Sequence, residues 1–374
     1  MKNLRRVLGA LVLLLLLARF SGYGYLIRGM RATYLAGHST ANIYDFEHYD
    51  LRAMPAVQPL PLVKSEATEL EMSPQTMAAL EETQTASLLV LKNDSVVLER
   101  YWGAHNESAV GNSFSMAKTV ITLLVQIAIQ DGYINSWDDP VLDYVPELQG
   151  GEERERLTLR HLSAMTAGLE ISENYKKPWA KLAKYYYGSD VIKTTLSTPT
   201  GKFEPGTQFE YQSASTQLLT LALSRAVQES VSSYANRELF AKVGFESEAF
   251  WHLDQKDGLE LGFCCLNAAT RDFAKLGNLV LNHGYQGEHA VIDSSFLHHA
   301  SRSIKSPVYG QSFWIYQSDP HIFAFRGMLG QLIIMDPAND LVVVRTGQKD
   351  GPKDGYFHQI ERVLLEQMAQ WYPH

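Results

Sequence analysis

Apolar side chains fall on several different periods along this chain, and each period predicts its own element. Residues 87–92 and 96–102 are strand-length runs rich in Leu and Val, and the intervening Asn93-Asp94-Ser95 has turn chemistry, so together they predict a β-hairpin. In residues 119–129, Val120, Leu123, Leu124 and Ile127 recur at helical spacing, and Asp131-Gly132 closes the run. Residues 218–226 and 271–282 repeat that helical pattern, the latter ending at His283-Gly284. Strand-length runs return at 312–316, 322–325, 331–335 and 341–346, the last two separated by Asp336-Pro337-Ala338-Asn339-Asp340. Residues 70–83 read as helical, and Phe357, Ile360, Leu364, Met368 and Trp371 place a final amphipathic helix over 356–371. Strands from both ends of the sequence with a helical block between them imply a layered α+β fold. Its core is an antiparallel sheet flanked by helices, with a mostly helical insert at about residues 132–250. The expected division is an N-terminal segment (1–32), an extended Pro- and His-rich arm with the first helix (33–83), and the main domain (84–374).

Composition adds exclusions. The chain has 374 residues, 45% apolar and 20% charged, which suits an ordinary globular core. A formal charge of −8 and the lack of a Lys/Arg-rich block argue against nucleic acid as a partner. Twelve histidines occur without metal-ligand spacing, so neither a catalytic metal nor another cofactor is expected. Cys264 and Cys265 are adjacent, which disfavours a disulfide between them and predicts buried small side chains.

The N-terminus changes the picture more. Lys2, Arg5 and Arg6 precede an apolar run at residues 7–18, and Arg19 interrupts it before residues 20–27. The first run has the length of a signal-peptide core, although no A-x-A site follows. The whole stretch of about twenty residues is long enough to span a membrane. Either reading carries the remaining chain across a membrane, giving a tethered or a periplasmic protein, and a buried N-terminal helix is the alternative.

The candidate chemistry begins at Ser115-Met116-Ala117-Lys118, at the start of a long apolar helical run. If this turn is helical, Ser115 and Lys118 share a face about one turn apart, within reach of each other. A serine hydroxyl needs an adjacent base, and a lysine serves as one only when burial or a neighbouring cation lowers its pKa. A serine at a helix N-terminus also stands beside free backbone N–H groups. Tyr211, in Tyr211-Gln212-Ser213, is a second candidate for handling protons.

These motifs, with Thr158-Leu159-Arg160-His161-Leu162-Ser163-Ala164-Met165-Thr166-Ala167-Gly168-Leu169, Pro205-Gly206 and Gly327-Met328-Leu329-Gly330-Gln331, occur in a familiar order. From about Ser87 to Trp371 the chain resembles the serine β-lactamase and penicillin-binding-protein superfamily. The closest likeness is to its class C-like branch of esterases, D,D-peptidases and 6-aminohexanoate-dimer hydrolases. The resemblance implies Ser115 as the acylated nucleophile, Lys118 as its proton acceptor and Tyr211 as the relay to the leaving group. It implies an oxyanion hole from the backbone N–H groups of Ser115 and Met328, and substrate contacts at Ser213, Gly327, Gly330 and Gln331. Tyr185, Tyr186, Tyr187 and Asp190 fall where a cleft wall, and an acid for a substrate amine, are expected. Two departures stand out: Y-x-S replaces Y-x-N, and no K-T-G precedes the last active-site strand, where Phe325-Arg326-Gly327 stands instead. Arg326 is a candidate for the missing cation. His161 reads as a packed histidine, and Arg271-Asp272 as a clamp on the helix they open. The implied activity is an ester or amide hydrolase acting on a small or short-peptide-like substrate. A D,D-peptidase or β-lactamase, or a non-catalytic envelope module, are the competing readings.

Overall fold

A computed structural model describes residues 6, 22–38, 40–66, 70–148, 151–175 and 177–373. In chain order the elements that matter are α1 (Gly24–Ala32), β1 (Asp50–Met54), β2 (Val63–Lys64), α2 (Pro74–Glu82), β3 (Thr85–Lys92), β4 (Ser95–Tyr101), β5 (Val110–Asn112) and α3 (Met116–Gln130). They continue with α4 (Lys181–Tyr187), α5 (Ser213–Val227), β6 (Ala249–Leu253), β7 (Leu266–Ala269), α6 (Thr270–Leu281), β8 (Trp314–Ser318), β9 (His321–Gly327), β10 (Gln331–Asp336), β11 (Leu341–Gly347) and α7 (Gln359–Trp371).

Seven strands form the main sheet in the order β8-β9-β10-β11-β3-β4-β2, antiparallel except for β2 against β4. The expected α+β layering is present, and β3 and β11, from opposite ends of the sequence, lie side by side at its centre. The β3–β4 turn closes tightly because Asn93 and Asp94 both take positive φ, 48° and 61°, a geometry these short polar side chains tolerate. Alternation within the strands divides the core. Leu88, Val90, Leu332, Ile334 and Val343 face α2 and α7, packing on Leu80, Ile360 and Leu364. Leu89, Leu91, Ile333, Val342 and Val344 face the helical part. There α3 is buried on almost every side, which explains why its apolar run is broader than one stripe.

A second sheet was not foreseen. β1, β6, β7 and β5 form a second antiparallel sheet in that order. Each is short and carries polar residues, so no period of two stands out in sequence, and their pairing is nonlocal. The arm is therefore not only extended: its β1 is the edge strand of this sheet, and Met54 there is buried. The final helix begins at Gln359, after Phe357-His358 pairs with Lys353-Asp354. α2 begins at Pro74, where the Ser73 hydroxyl accepts from the Thr76 N–H at 3.1 Å.

Residues 7–18, the apolar leader, lie outside the described residues. Among the described residues no helix is long and apolar enough to cross a membrane. Leu26 and Ile27, at the end of the apolar stretch, belong to α1. This helix packs on α4: Gly29 lets it approach the Tyr187 ring, and Arg28 donates to the carbonyls of Gly188 (3.0 Å) and Asp254 (2.6 Å).

Candidate active site

Ser115 sits at the turn from β5 into α3, and that turn is held from several directions. The Asn112 side chain accepts from the Phe114 N–H at 2.8 Å and donates to Asp45 at 3.2 Å, while the Ser113 N–H bonds Leu266 O at 2.8 Å. Phe114 takes φ 45°, a conformation a bulky residue adopts only where its surroundings impose it. The result presents the Ser115 side chain at the mouth of α3.

One turn on, Lys118 is 1% exposed, and its Nζ lies 2.9 Å from Ser115 Oγ. Nζ also donates to Phe263 O at 2.6 Å. Burial lowers its pKa to about 7, against the weaker opposing pull of the Glu173 charge. A neutral amine can therefore spend one N–H on Phe263 O and turn its lone pair to the serine. Tyr211 stands close enough to Ser115 for the serine hydroxyl to oppose part of the effect of burial on its phenol. Burial raises the phenol pKa well above its usual value, so Tyr211 stays protonated at neutral pH. Its ring packs against Tyr309 and Trp314 and lies 5.1 Å from Lys118 Nζ.

Gly327, at the end of β9, has no room for a side chain, because a Cβ there would collide with the Ser113 carbonyl oxygen. This close approach brings Met328 beside Ser115 in the wall of the same cavity. The turn that follows is bent by positive φ at Leu329 (63°) and Gly330 (75°). It is held from behind. Gln331 is fully buried, donating to Met328 O (3.0 Å) and Gly347 O (2.7 Å) and accepting from the Gly347 N–H (2.9 Å). Arg345, also fully buried, donates to Leu329 O (2.7 Å), Gly330 O (2.8 Å) and Thr83 O (2.9 Å). Gln331 and Gly330 thus brace the turn instead of facing substrate: the side chain of one is spent on backbone groups, and the other is backed by Arg345.

Ser213 does line the cavity, but its hydroxyl and its N–H (3.0 Å) are both bonded to Glu173. Sequence reading missed Glu173 because no local pattern marks it; only the fold brings it against Tyr211-Gln212-Ser213. Arg345 was missed for a similar reason, a charge inside an apolar strand being its one clue. Asp190 is not in the cavity wall. Its carboxylate accepts from the Lys193 N–H at 2.9 Å and caps a short helix, so the expected substrate contact is corrected to a structural one. Tyr186 and Tyr187 line the cavity, whereas Tyr185 is buried behind it with its hydroxyl 2.8 Å from Thr198. Arg326 pairs with Glu361 and stacks over Trp314 at 4.5 Å. His161 is bound into the cap of its own helix. Arg271 pairs with Glu99 at 2.7 Å, and Asp272 accepts from the Glu246 N–H at 2.6 Å, the expected clamp.

Cys264 and Cys265 are buried as expected, but the expectation that they stay unpaired is overturned, since they form a disulfide. The backbone turns at Cys265 (φ 74°), which brings the neighbouring sulfurs together. Cys264 lines the cavity beside Phe263. The cavity has a volume of about 720 Å³ and runs from Ser115 to α1.

Comparison with known proteins bears on the family and the fold. The family model described as Beta-lactamase matches residues 74–367. The chain is 25% identical over 341 residues to the 6-aminohexanoate-dimer hydrolase of Paenarthrobacter ureafaciens, covering 84% of this chain and 85% of that one. Among solved structures, a Bacillus anthracis protein provisionally named a 6-aminohexanoate-dimer hydrolase superposes with a TM-score of 0.77 at 19% identity, covering 93% of each chain. A family VIII carboxylesterase superposes at 0.62 and 16% identity, covering 82% of this chain and 99% of that one.

Proposed function

Because this chain belongs to the β-lactamase family of serine hydrolases, we propose that it cleaves an ester or amide through an acyl-enzyme intermediate on Ser115. The observation that carries this reading is the 2.9 Å contact between Ser115 Oγ and a buried Lys118 whose pKa is lowered to about 7. In that state Lys118 accepts the serine proton as Oγ attacks the carbonyl carbon. The backbone N–H groups of Ser115 and Met328 receive the developing oxyanion, each such donor being worth about 3 kcal/mol. Tyr211, kept protonated by burial beside Ser115, passes a proton to the departing alcohol or amine. Water then attacks the acyl-enzyme, and Oγ leaves with a proton returned from the same pair. Amide cleavage is in keeping with the name of the Paenarthrobacter relative, and ester cleavage with the carboxylesterase. Nothing in the site favours the β-lactam alternative: Arg326, the candidate for the missing K-T-G cation, is held by Glu361.

The test is labelling with a fluorophosphonate probe beside turnover of p-nitrophenyl acetate. Wild type should do both, and Ser115→Ala neither; a variant that still labels would remove Ser115 from its role.

The apolar leader, with Lys2, Arg5 and Arg6 before it, supports a form tethered to a membrane with the catalytic part on the far side. Full-length protein should then sediment with membranes and resist alkaline carbonate extraction. Release by carbonate would reject the anchor.

A further inference from the structure

The cavity that opens at Ser115 continues well past the reacting atoms, and its walls are mostly apolar, with Thr33, Thr40, Asn174 and tyrosines among them. Phe114 and Met328 flank the serine, Leu182 and Ala183 come from α4, and Leu26 and Met30 come from α1. Among the described lining residues Lys177 is the one that carries a charge, and it is exposed to solvent. Glu173 is not in the lining: its carboxylate receives Ser213 and Tyr175. A cationic substrate tail inside this cavity would lose its hydration and meet only neutral groups such as Asn174, Thr40 and the tyrosines, with no carboxylate among the described lining residues, whereas a hydrocarbon chain would gain from burial. At about 720 Å³ the space is that of a typical small-molecule site.

The side of the scissile bond follows from the roles assigned above, on which this inference rests. The acyl carbon is bonded to Ser115 with its oxygen toward Met328, and both residues line the cavity. Tyr211, which serves the leaving group, does not. The acyl portion therefore points into the cavity and the alcohol or amine away from it. We propose that this cavity receives the neutral aliphatic acyl chain of an ester or amide, of medium length or longer, with α1 as its outer wall. The mouth has the same character, since Tyr34, Tyr175 and Met30 are 67%, 57% and 47% exposed around it.

The full chain is assayed on p-nitrophenyl acetate, butyrate, hexanoate and octanoate below their aggregation limits, and on the 6-aminohexanoate ester. Burial of a methylene sets a ceiling of about fourfold per CH₂, so kcat/KM should rise at least about tenfold from butyrate to octanoate. The 6-aminohexanoate ester should fall at least about tenfold below hexanoate, its ammonium finding no counter-charge among the described lining residues. In Leu26→Trp and Ala183→Trp the new ring fills the cavity, and the octanoate-to-acetate ratio should collapse, with probe labelling of Ser115 reporting that each variant is folded. If either variant fails to fold, the wild-type series decides alone. Labelled wild type with a flat or falling series, or with equal rates on hexanoate and 6-aminohexanoate, overturns the acyl-chain proposal while leaving the serine-hydrolase reading intact. Absence of both labelling and turnover overturns that reading and the acyl-chain proposal with it.

Discussion

In the proposed mechanism Lys118 decides the working pH of this site. Its folded pKa, about 7, lies below the value of about 10.4 for an unfolded lysine. Below pH 7 the amine is protonated and cannot accept the Ser115 proton. We therefore expect kcat/KM to climb with unit slope as pH rises through about 7, and Lys118→Ala to lose about 10²-fold or more along with that limb. The same shift bears on stability, with the sign following from proton binding. Between about pH 7 and 10.4 the unfolded chain holds a proton that the folded one lacks, so this group makes folding more favourable as pH increases across that window. A rate profile flat from pH 6 to 8 would mean that Lys118 is not the base. Ser115 and Lys118 were legible in sequence because three residues along a helix already contain their geometry. Tyr211 was legible only through the order of motifs, and Glu173 was not legible at all.

At the scale of elements, the proposed oxyanion hole depends on how closely the end of β9 approaches the start of α3. Gly327 permits that approach, and Gln331 and Arg345 hold the following turn through backbone carbonyls. Gly327→Ala would push Met328 away from Ser115, and we expect kcat to fall about 10²- to 10³-fold, the usual cost of losing one oxyanion donor. Steady-state kinetics beside circular dichroism check this; an active, folded variant would show that Met328 does not serve the oxyanion. The strand pattern made β9 and β10 readable, since both faces of these strands are apolar and their ends carry turn residues. It did not reveal which of Gly327, Gly330 and Gln331 meets substrate and which braces the turn. That distinction depends on what lies behind the strand, namely Arg345 and α7.

Over the whole molecule, the described residues between 22 and 54 are built into the fold. β1 extends the second sheet, its Arg52 pairs with the buried Glu260, and α1 closes the cavity. Met54, 2% exposed, anchors β1 in the main core. Met54→Ala should lower the free energy of unfolding by about 2–5 kcal/mol in denaturant titrations, and an unchanged midpoint would show the arm to be dispensable. What the sequence determined by itself is whatever short-range periodicity and spacing encode: the central hairpin, the long helices, the four late strands, and a serine and lysine one helical turn apart. The second sheet, the disulfide at Cys264 and Cys265, the bracing of the 327–331 turn and the apolar cavity under α1 were decided only in three dimensions. Each of them joins segments far apart in the chain or depends on a backbone turn, and neither long-range pairing nor a positive φ at a non-glycine residue leaves a periodic trace in the sequence.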